Sequence, residues 1–341
     1  MRVRVLIPVL VIMAVVAAQA APPPAQETAP IPVPFEDWLA IVRAEALAQG
    51  ISQRTVHAAL GSVERLPVVV ERDRTQAEVT LTLDQYVARR VPPRAVRTAR
   101  TMASTHRAEL QRASSRFGVP RQVIVAIWGL ESNFGRFQGG RPTIPTLATL
   151  AYDGRRRLFR DELFAALRII DSGDVAPDAL KGSWAGAMGQ SQFMPSSYLK
   201  WAVDGDGDGR RDIWTSLPDV IASIASYLKE HGWVRDQRWG REVRLTDEAA
   251  ARAAAVPLRL AGGCQAERDM TEARTLVEWR NLGVTLRSGA RLPASDLSAS
   301  LVRVDARSFL VYANYGSLLA YNCAHRYALS IGILADRIGA R

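Results

Sequence analysis

From Phe35 onward, apolar positions recur at helical spacing and are punctuated by glycine and proline. Trp38, Leu39, Ile41 and Val42 mark a helix that stops before Gly50, and Val56 to Leu60 mark a second that stops at Gly61. Pro92-Pro93 interrupts the next run, after which the pattern predicts one longer helix to Phe117, closed by Gly118. Residues 119–131 put Ile124, Ile127 and Trp128 on one helical stripe, with Glu131 next along it. Helical pieces separated by Gly, Pro and Asp clusters continue to about residue 235.

Beyond Trp239 the period shortens. Residues 241–245, 258–260, 275–279, 299–304 and 309–312 read as short strands, and a single closing helix is predicted over 317–338. No internal repeat is present. The pattern is that of a mainly α protein of the α+β class. It divides into a helical domain over 35–117, a core over 118–238, a small β domain over 239–313 and a C-terminal helical segment over 314–341.

The start of the chain reads differently. Basic Met1-Arg-Val-Arg4 precedes an apolar stretch from Val5 to Ala17 and a small-x-small site, Ala18-Gln-Ala20. This predicts a cleavable secretory signal peptide over 1–20, too short for a stable membrane span. With no cysteine after the apolar region, a lipid anchor is not expected, and the mature chain is expected to be soluble and periplasmic. Residues 21–34 form a proline-rich, extended lead.

Cleavage removes Arg2 and Arg4, so the formal charge falls from +10 to +8. A basic exported protein points to an acidic wall polymer carrying peptide carboxylates rather than to nucleic acid. Cys264 and Cys323 are the two cysteines. In an oxidising compartment they form one disulfide worth roughly 3–4 kcal/mol, or remain two buried thiols. Their spacing is no metal site.

On composition alone Glu131 is one of 34 acidic residues, and a salt bridge is the ordinary reading of it. The following Ser132-Asn-Phe-Gly135 ends the helix at a glycine, so the carboxyl would sit at the negative helix end among apolar neighbours, both raising its pKa. A carboxyl protonated near neutral pH can protonate a glycosidic oxygen. Asp153, Asp161 and Glu162 read as surface or capping residues, which leaves no good second carboxylate.

Gly182-Ser-Trp-Ala-Gly-Ala-Met-Gly189-Gln-Ser-Gln192-Phe-Met-Pro195-Ser-Ser-Tyr198 is dense in glycine and alanine, letting backbone approach a ligand. Ser183 and Gln192 would hydrogen-bond sugar hydroxyls or an acetamido group, and Phe193 and Met194 would line a sugar face. A tight loop with a Met–aromatic packing cluster explains the same residues equally well.

Together, Glu131-Ser-x-Phe-Gly, the long Gly182 motif with Gln-Phe-Met-Pro-Ser, and Tyr321-Asn322 resemble the membrane-bound lytic transglycosylase B family, bacterial enzymes that cleave peptidoglycan. The resemblance runs from about Phe35 to the C-terminus. It implies a lysozyme-like catalytic core, with the C-terminal segment completing the active-site groove, and one catalytic carboxylate, Glu131. It implies sugar-binding roles for Tyr86, Ser183, Gln192, Phe193, Met194, Tyr227, Tyr321, Asn322 and Tyr327. Arg155 and Arg156 match a double arginine of the family and would meet a peptide or lactyl carboxylate, although a charge run ordinarily means a solvated face. Tyr321 and Tyr327 are six apart, so on one helix they would not share a face.

The implied chemistry is cleavage between N-acetylmuramic acid and N-acetylglucosamine with a 1,6-anhydro product, Glu131 acting as acid and then as base. It needs no cofactor, its partner is the glycan strand, and a monomer is expected. The rivals are a hydrolytic muramidase, a silent wall-binding protein and a calcium-dependent structural module.

The last rests on Asp204-Gly-Asp206-Gly-Asp208-Gly209-Arg210, the front half of an EF-hand loop, in which Arg210 offers its carbonyl. Position twelve is Thr215, and the resemblance implies closure by Asp219 instead. Structural calcium is one reading; an ion-free Asx-turn loop is the other.

Overall fold

Helix ends follow the punctuation in the N-terminal part. The structure, a computed structural model, describes residues 33–75, 81–154, 157–260 and 263–340. The expected signal peptide, most of the proline-rich lead, Arg155 and Arg156 lie outside the described residues. Helices α1 (Phe35–Ala48), α2 (Gln53–Leu60), α3 (Pro67–Thr75) and α4 (Leu83–Arg90) come first. Ser52 caps α2 by accepting from the Thr55 N–H, and Thr82 with Gln85 forms a capping box on α4.

The long helix predicted before Gly118 is two helices, α5 (Pro93–Thr105) and α6 (Arg107–Phe117). The chain bends at His106, whose ring meets Trp128 edge-on at 5.8 Å. Tertiary packing on α7 (Arg121–Ser132) thus overrides the local pattern. Helix α7 is not amphipathic: Val123 to Trp128 are buried without a break, and α5, α6, α11 and α16 pack around it.

Strand β1 (Arg141–Pro142), α8 (Thr143–Asp153), α9 (Leu158–Asp171), β2 (Lys181–Gly182), α10 (Pro195–Trp201) and α11 (Leu217–Glu230) complete this region. The β1–β2 pair aligns Arg141 with Gly182. Glu162 on α9 is not a surface residue. It is buried and accepts from the Ser196 N–H at 2.8 Å and its hydroxyl at 2.7 Å, capping α10 from a distance.

The remainder holds β3 (Gly240–Arg244), α12 (Asp247–Ala254), α13 (Gln265–Arg268), β4 (Arg274–Thr275), α14 (Leu276–Asn281), β5 (Thr285–Leu286), β6 (Ser298–Val304) and β7 (Arg307–Val311). The sheet order is β4-β6-β7-β3-β5, antiparallel throughout. The expected strand at 275–279 is mostly α14, because Thr275 and Glu278 make a capping box. Residues 258–260 make only the bridge Leu258–Thr271; Leu260 is 95% exposed and has no face to bury. A second core, centred on fully buried Trp279, takes up Ala299, Leu301 and Leu310 of this sheet, while Val302, Val304, Phe309 and Val311 join the main core.

The single closing helix predicted over 317–338 is also two, α15 (Ala313–Tyr321) and α16 (His325–Gly339). Asn322 and Ala324 are extended, and Cys323 between them is bonded to Cys264, the N-cap of α13. That covalent tie holds the chain out of helix at the break. From Phe35 onward the chain packs as one unit.

Candidate active site

Helix α7 ends in three consecutive left-handed residues, Asn133 (φ 49°), Phe134 (φ 60°) and Gly135 (φ 81°), so Asn133, not the glycine, is the cap. The turn folds Phe134 back onto the helix, where its ring meets Trp128 edge-on at 5.1 Å. Gly129 makes room for that ring: a Cβ there would lie 2.7 Å from Phe134 Cζ. Glu131 is fixed between these positions.

The residue keeps a partial opening to solvent, but its carboxyl is enclosed. Burial pushes the Glu131 pKa up from 4.5 to about 7, while a hydrogen bond from the Tyr327 hydroxyl and the charge of Arg90 pull it down. Burial, more than the helix end, is therefore the cause. Arg90 from α4 also donates to the Leu130 carbonyl at 2.6 Å, holding the backbone next to the acid. Sequence reasoning missed Arg90, because nothing local marks a contact 40 residues away.

The break between α15 and α16 brings together what one helix would separate. Tyr321 and Tyr327 stack at 6.5 Å and 18°. Tyr321 donates to the Ser191 carbonyl at 2.7 Å, and Tyr227 to the Ala320 carbonyl at 2.7 Å. Burial raises the pKa of both phenols, so both stay protonated donors. Tyr86 on α4 is half-buried. Asn322 is exposed at the break.

The glycine-rich segment is a tight loop pinned by the bridges Gly182–Met188 and Met188–Phe193. Ser183 Oγ accepts from the Ala185 and Ala187 N–H groups at 3.2 and 3.1 Å. Gln192, at φ 51°, donates to the carbonyls of Gln138 and Gly189 at 3.1 and 2.8 Å. Phe193 corrects one expectation: its ring is 2% exposed and packs with Tyr227 and Tyr321, rather than lining an open face. Met194 is partly buried. Gln190, also missed, accepts from Trp128 Nε1 at 2.8 Å and donates to the Trp214 carbonyl at 2.9 Å, tying α7 to the acidic loop.

A cavity of about 480 Å³ opens against Glu131, lined by residues of α4, α5 and the end of α7, and Glu131 is its one carboxylate among the described residues. A buried acid poised near neutral pH, held by a phenol and facing a cavity, can give up a proton and take one back.

A family model described as the transglycosylase SLT domain matches residues 34–336. The chain belongs to that family. Membrane-bound lytic murein transglycosylase B of Escherichia coli (strain K12) is 33% identical over 237 residues, 67% of this chain and 60% of that protein. The alignment thus spans well under two thirds of that relative. SltB3 of Pseudomonas aeruginosa, solved with NAG-anhNAM-pentapeptide, is 40% identical with a TM-score of 0.81, over 90% of this chain and 80% of its own. The Escherichia coli lytic transglycosylase Slt35 in complex with calcium is 27% identical with a TM-score of 0.72, over 90% and 93%. This SLT-domain protein is thus mainly α with a lysozyme-like core and a small sheet.

In the acidic loop of this SLT-domain protein, Asp204, Asp206 and Asp219 bring carboxylate oxygens within 4.8 Å of one another. Asp208 is not among them; its carboxylate accepts from the Arg210 N–H at 2.8 Å, and the Arg210 side chain is exposed. Asp219 is buried and accepts from the N–H groups of Gly205 at 2.7 Å and Asp212 at 2.6 Å. Burial, with the nearby Asp206 charge, still raises its pKa. Three clustered carboxylates, one of them buried, fit a hard divalent cation.

Proposed function

We propose that this protein is a lytic murein transglycosylase, cutting the β-1,4 bond between N-acetylmuramic acid and N-acetylglucosamine to leave a 1,6-anhydromuramyl end. One observation carries the reading: a single carboxyl, raised to about 7, faces a cavity that holds no second acid among its described lining residues. Hydrolysis by paired carboxylates needs that second group. Here Glu131 protonates the glycosidic oxygen as the bond to C1 breaks. The muramyl acetamido carbonyl supports the positive charge at C1. Glu131, now a carboxylate, takes the proton of the muramyl C6 hydroxyl as O6 bonds to C1. No water is consumed, and the acid is restored.

Tyr327 holds the carboxylate between the two steps. Ser183, Gln192, Met194, Tyr86, Tyr227, Tyr321 and Asn322 form the groove for the sugars, Ser183 and Gln192 through loop geometry as much as direct contact. The protein acts as a periplasmic monomer; no helix among the described residues is long and apolar enough to cross a membrane. Calcium on Asp204, Asp206 and Asp219 would brace the loop that reaches Gln190 through Trp214, without entering the reaction.

Digestion of purified peptidoglycan followed by mass spectrometry tests the reaction. The wild type should release products lighter by one water than muramidase products, and Glu131→Gln should release none; reducing ends, or an active Glu131→Gln, would sink the reading. The same variant should fold. Because the folded state raises the Glu131 pKa, its ionisation costs stability as pH rises from 4.5 to about 7. Glu131→Gln should therefore melt higher than wild type at pH 8, with the gap closing toward pH 4.5.

Calcium is read from melting. At a hundredfold excess over Kd it should raise Tm by roughly 4 °C over chelated protein, and Asp206→Asn should cancel the rise. Equal Tm in both conditions removes calcium.

A further inference from the structure

The small sheet reaches the acid through one short helix. Helix α4 runs only from Leu83 to Arg90, about 12 Å, and is held from outside at both ends. At its start the Leu83 N–H, one of the donors a helix leaves unpaired, donates to Asp305 Oδ2 at 2.5 Å. The neighbouring Asp84 carboxylate accepts from Arg307 Nη1 at 3.1 Å. At its end Arg90 donates to the Leu130 carbonyl at 2.6 Å, one residue before Glu131.

Asp305 and Arg307 belong to the β6–β7 hairpin, whose turn Asp305-Ala306 is closed by the pairing of Val304 with Arg307. Asp305 sits at φ 53°, in a turn where an aspartate ordinarily bonds its own backbone. Here both carboxylate oxygens reach out of the hairpin. Oδ2 serves Leu83, and Oδ1 meets Arg326 at 3.4 Å, the residue before Tyr327 on α16. Arg307 is fixed in turn by a two-pronged contact with Glu242 on β3, at 2.8 and 2.9 Å. One turn therefore touches both helices that bring a partner to Glu131, and α4 and α16 pack on each other.

The charged and titratable groups facing Glu131 are Tyr327 from α16, Tyr321 from α15, and Arg89, Arg90, Arg94 and Arg136 around the cavity. Arg90 and Tyr327 are the two that pull its pKa down. A hydrogen bond weakens steeply with small losses of aim, whereas burial changes only with larger movements.

We propose that Asp305 and Arg307 are positioning residues for the reaction at Glu131: from the sheet they hold α4 as a strut, with the start of α16 beside it, and so keep Arg90 and Tyr327 aimed at the acid. The proposal rests on the glycan-cleaving reading and gives the small sheet a part in it.

The test uses the full-length protein carrying Asp305→Gly. Glycine accepts the positive φ, so the hairpin still closes while its carboxylate is gone. With Arg90 and Tyr327 loosened and the acid still enclosed, the alkaline limb of kcat/KM on purified peptidoglycan should move upward, and kcat should fall about tenfold. Asp305→Asn keeps the turn and an acceptor for Leu83, and should recover most of kcat. Arg307→Lys keeps the charge but loses the fork, and should move the limb in the same direction as Asp305→Gly.

The Glu131 pKa is also read without turnover, from the melting gap between each protein and its Glu131→Gln version. That gap opens between pH 4.5 and pH 8. It should widen in Asp305→Gly, because a higher folded-state pKa makes ionisation costlier. In a background that already lacks both partners, Arg90→Gln with Tyr327→Phe, adding Asp305→Gly should widen it no further.

An unmoved limb, Asp305→Asn behaving like Asp305→Gly, or fresh widening in that background would overturn the proposal. So would a downward shift, which would mean that the sheet keeps water out rather than aiming side chains. Product analysis of the wild type judges the reaction separately: a protein that releases no anhydro product loses the chemistry, while the melting gaps still decide the positioning.

Discussion

Tyr327 works against the burial that makes Glu131 useful. Its hydroxyl donates to the carboxylate form and lowers a pKa that enclosure has raised. Removing that donor in Tyr327→Phe leaves the acid protonated to higher pH. The alkaline limb of kcat/KM should shift upward, while kcat falls about 10–100-fold because the carboxylate needed for the second step has lost its hydrogen bond. An unmoved limb would mean that Tyr327 is only packing. Glu131 itself was legible in the sequence, since its motif is local. Its partner was not: Tyr327 lies 196 residues away, and no local pattern encodes a hydrogen bond over that separation. Phe193 follows the packing reading of its segment rather than the sugar-lining one, for the opposite reason. Its motif is local, but its ring points into the core.

At the level of elements, the turn after α7 is the sensitive joint. Alanine at Gly129 would gain roughly 1 kcal/mol of helix propensity. The new Cβ would meet Phe134 at 2.7 Å, however, and overpacking costs about 1–3 kcal/mol. The second effect wins, so Gly129→Ala should lower Tm by about 1–3 °C and reduce kcat, as the displaced turn carries Glu131 with it. A Tm at or above wild type would show that the ring relaxes freely. The sequence pattern marked helix ends where glycine, proline or a capping side chain sets them, as at Gly61 and Gly118. It missed breaks imposed from outside the segment: His106 against Trp128, and residues 322–324 under the Cys264–Cys323 bond. The capping box at Thr275 was readable, but a β-branched, aromatic run outweighed it.

At the scale of the whole molecule, the disulfide joins segments 59 residues apart and fixes the hinge between α15 and α16. Closing a loop of that length contributes about 4 kcal/mol in the chain-entropy account. Cys323→Ser should lose about that much stability, read by denaturant unfolding, and mass mapping without reductant should find the linked peptides in the wild type. The mainly α character and the small sheet were visible in the pattern. The separation into two cores was not, because it depends on which apolar faces meet.

Glu131 is made early in the chain, and Tyr327 arrives with α16, the last helix described. A polypeptide still being synthesised, or one clipped before that helix, has its acid but lacks the phenol, the stacked Tyr321 and the lid of packing that lifts the pKa. The site is therefore complete only once α16 has docked and brought Tyr327 against Glu131.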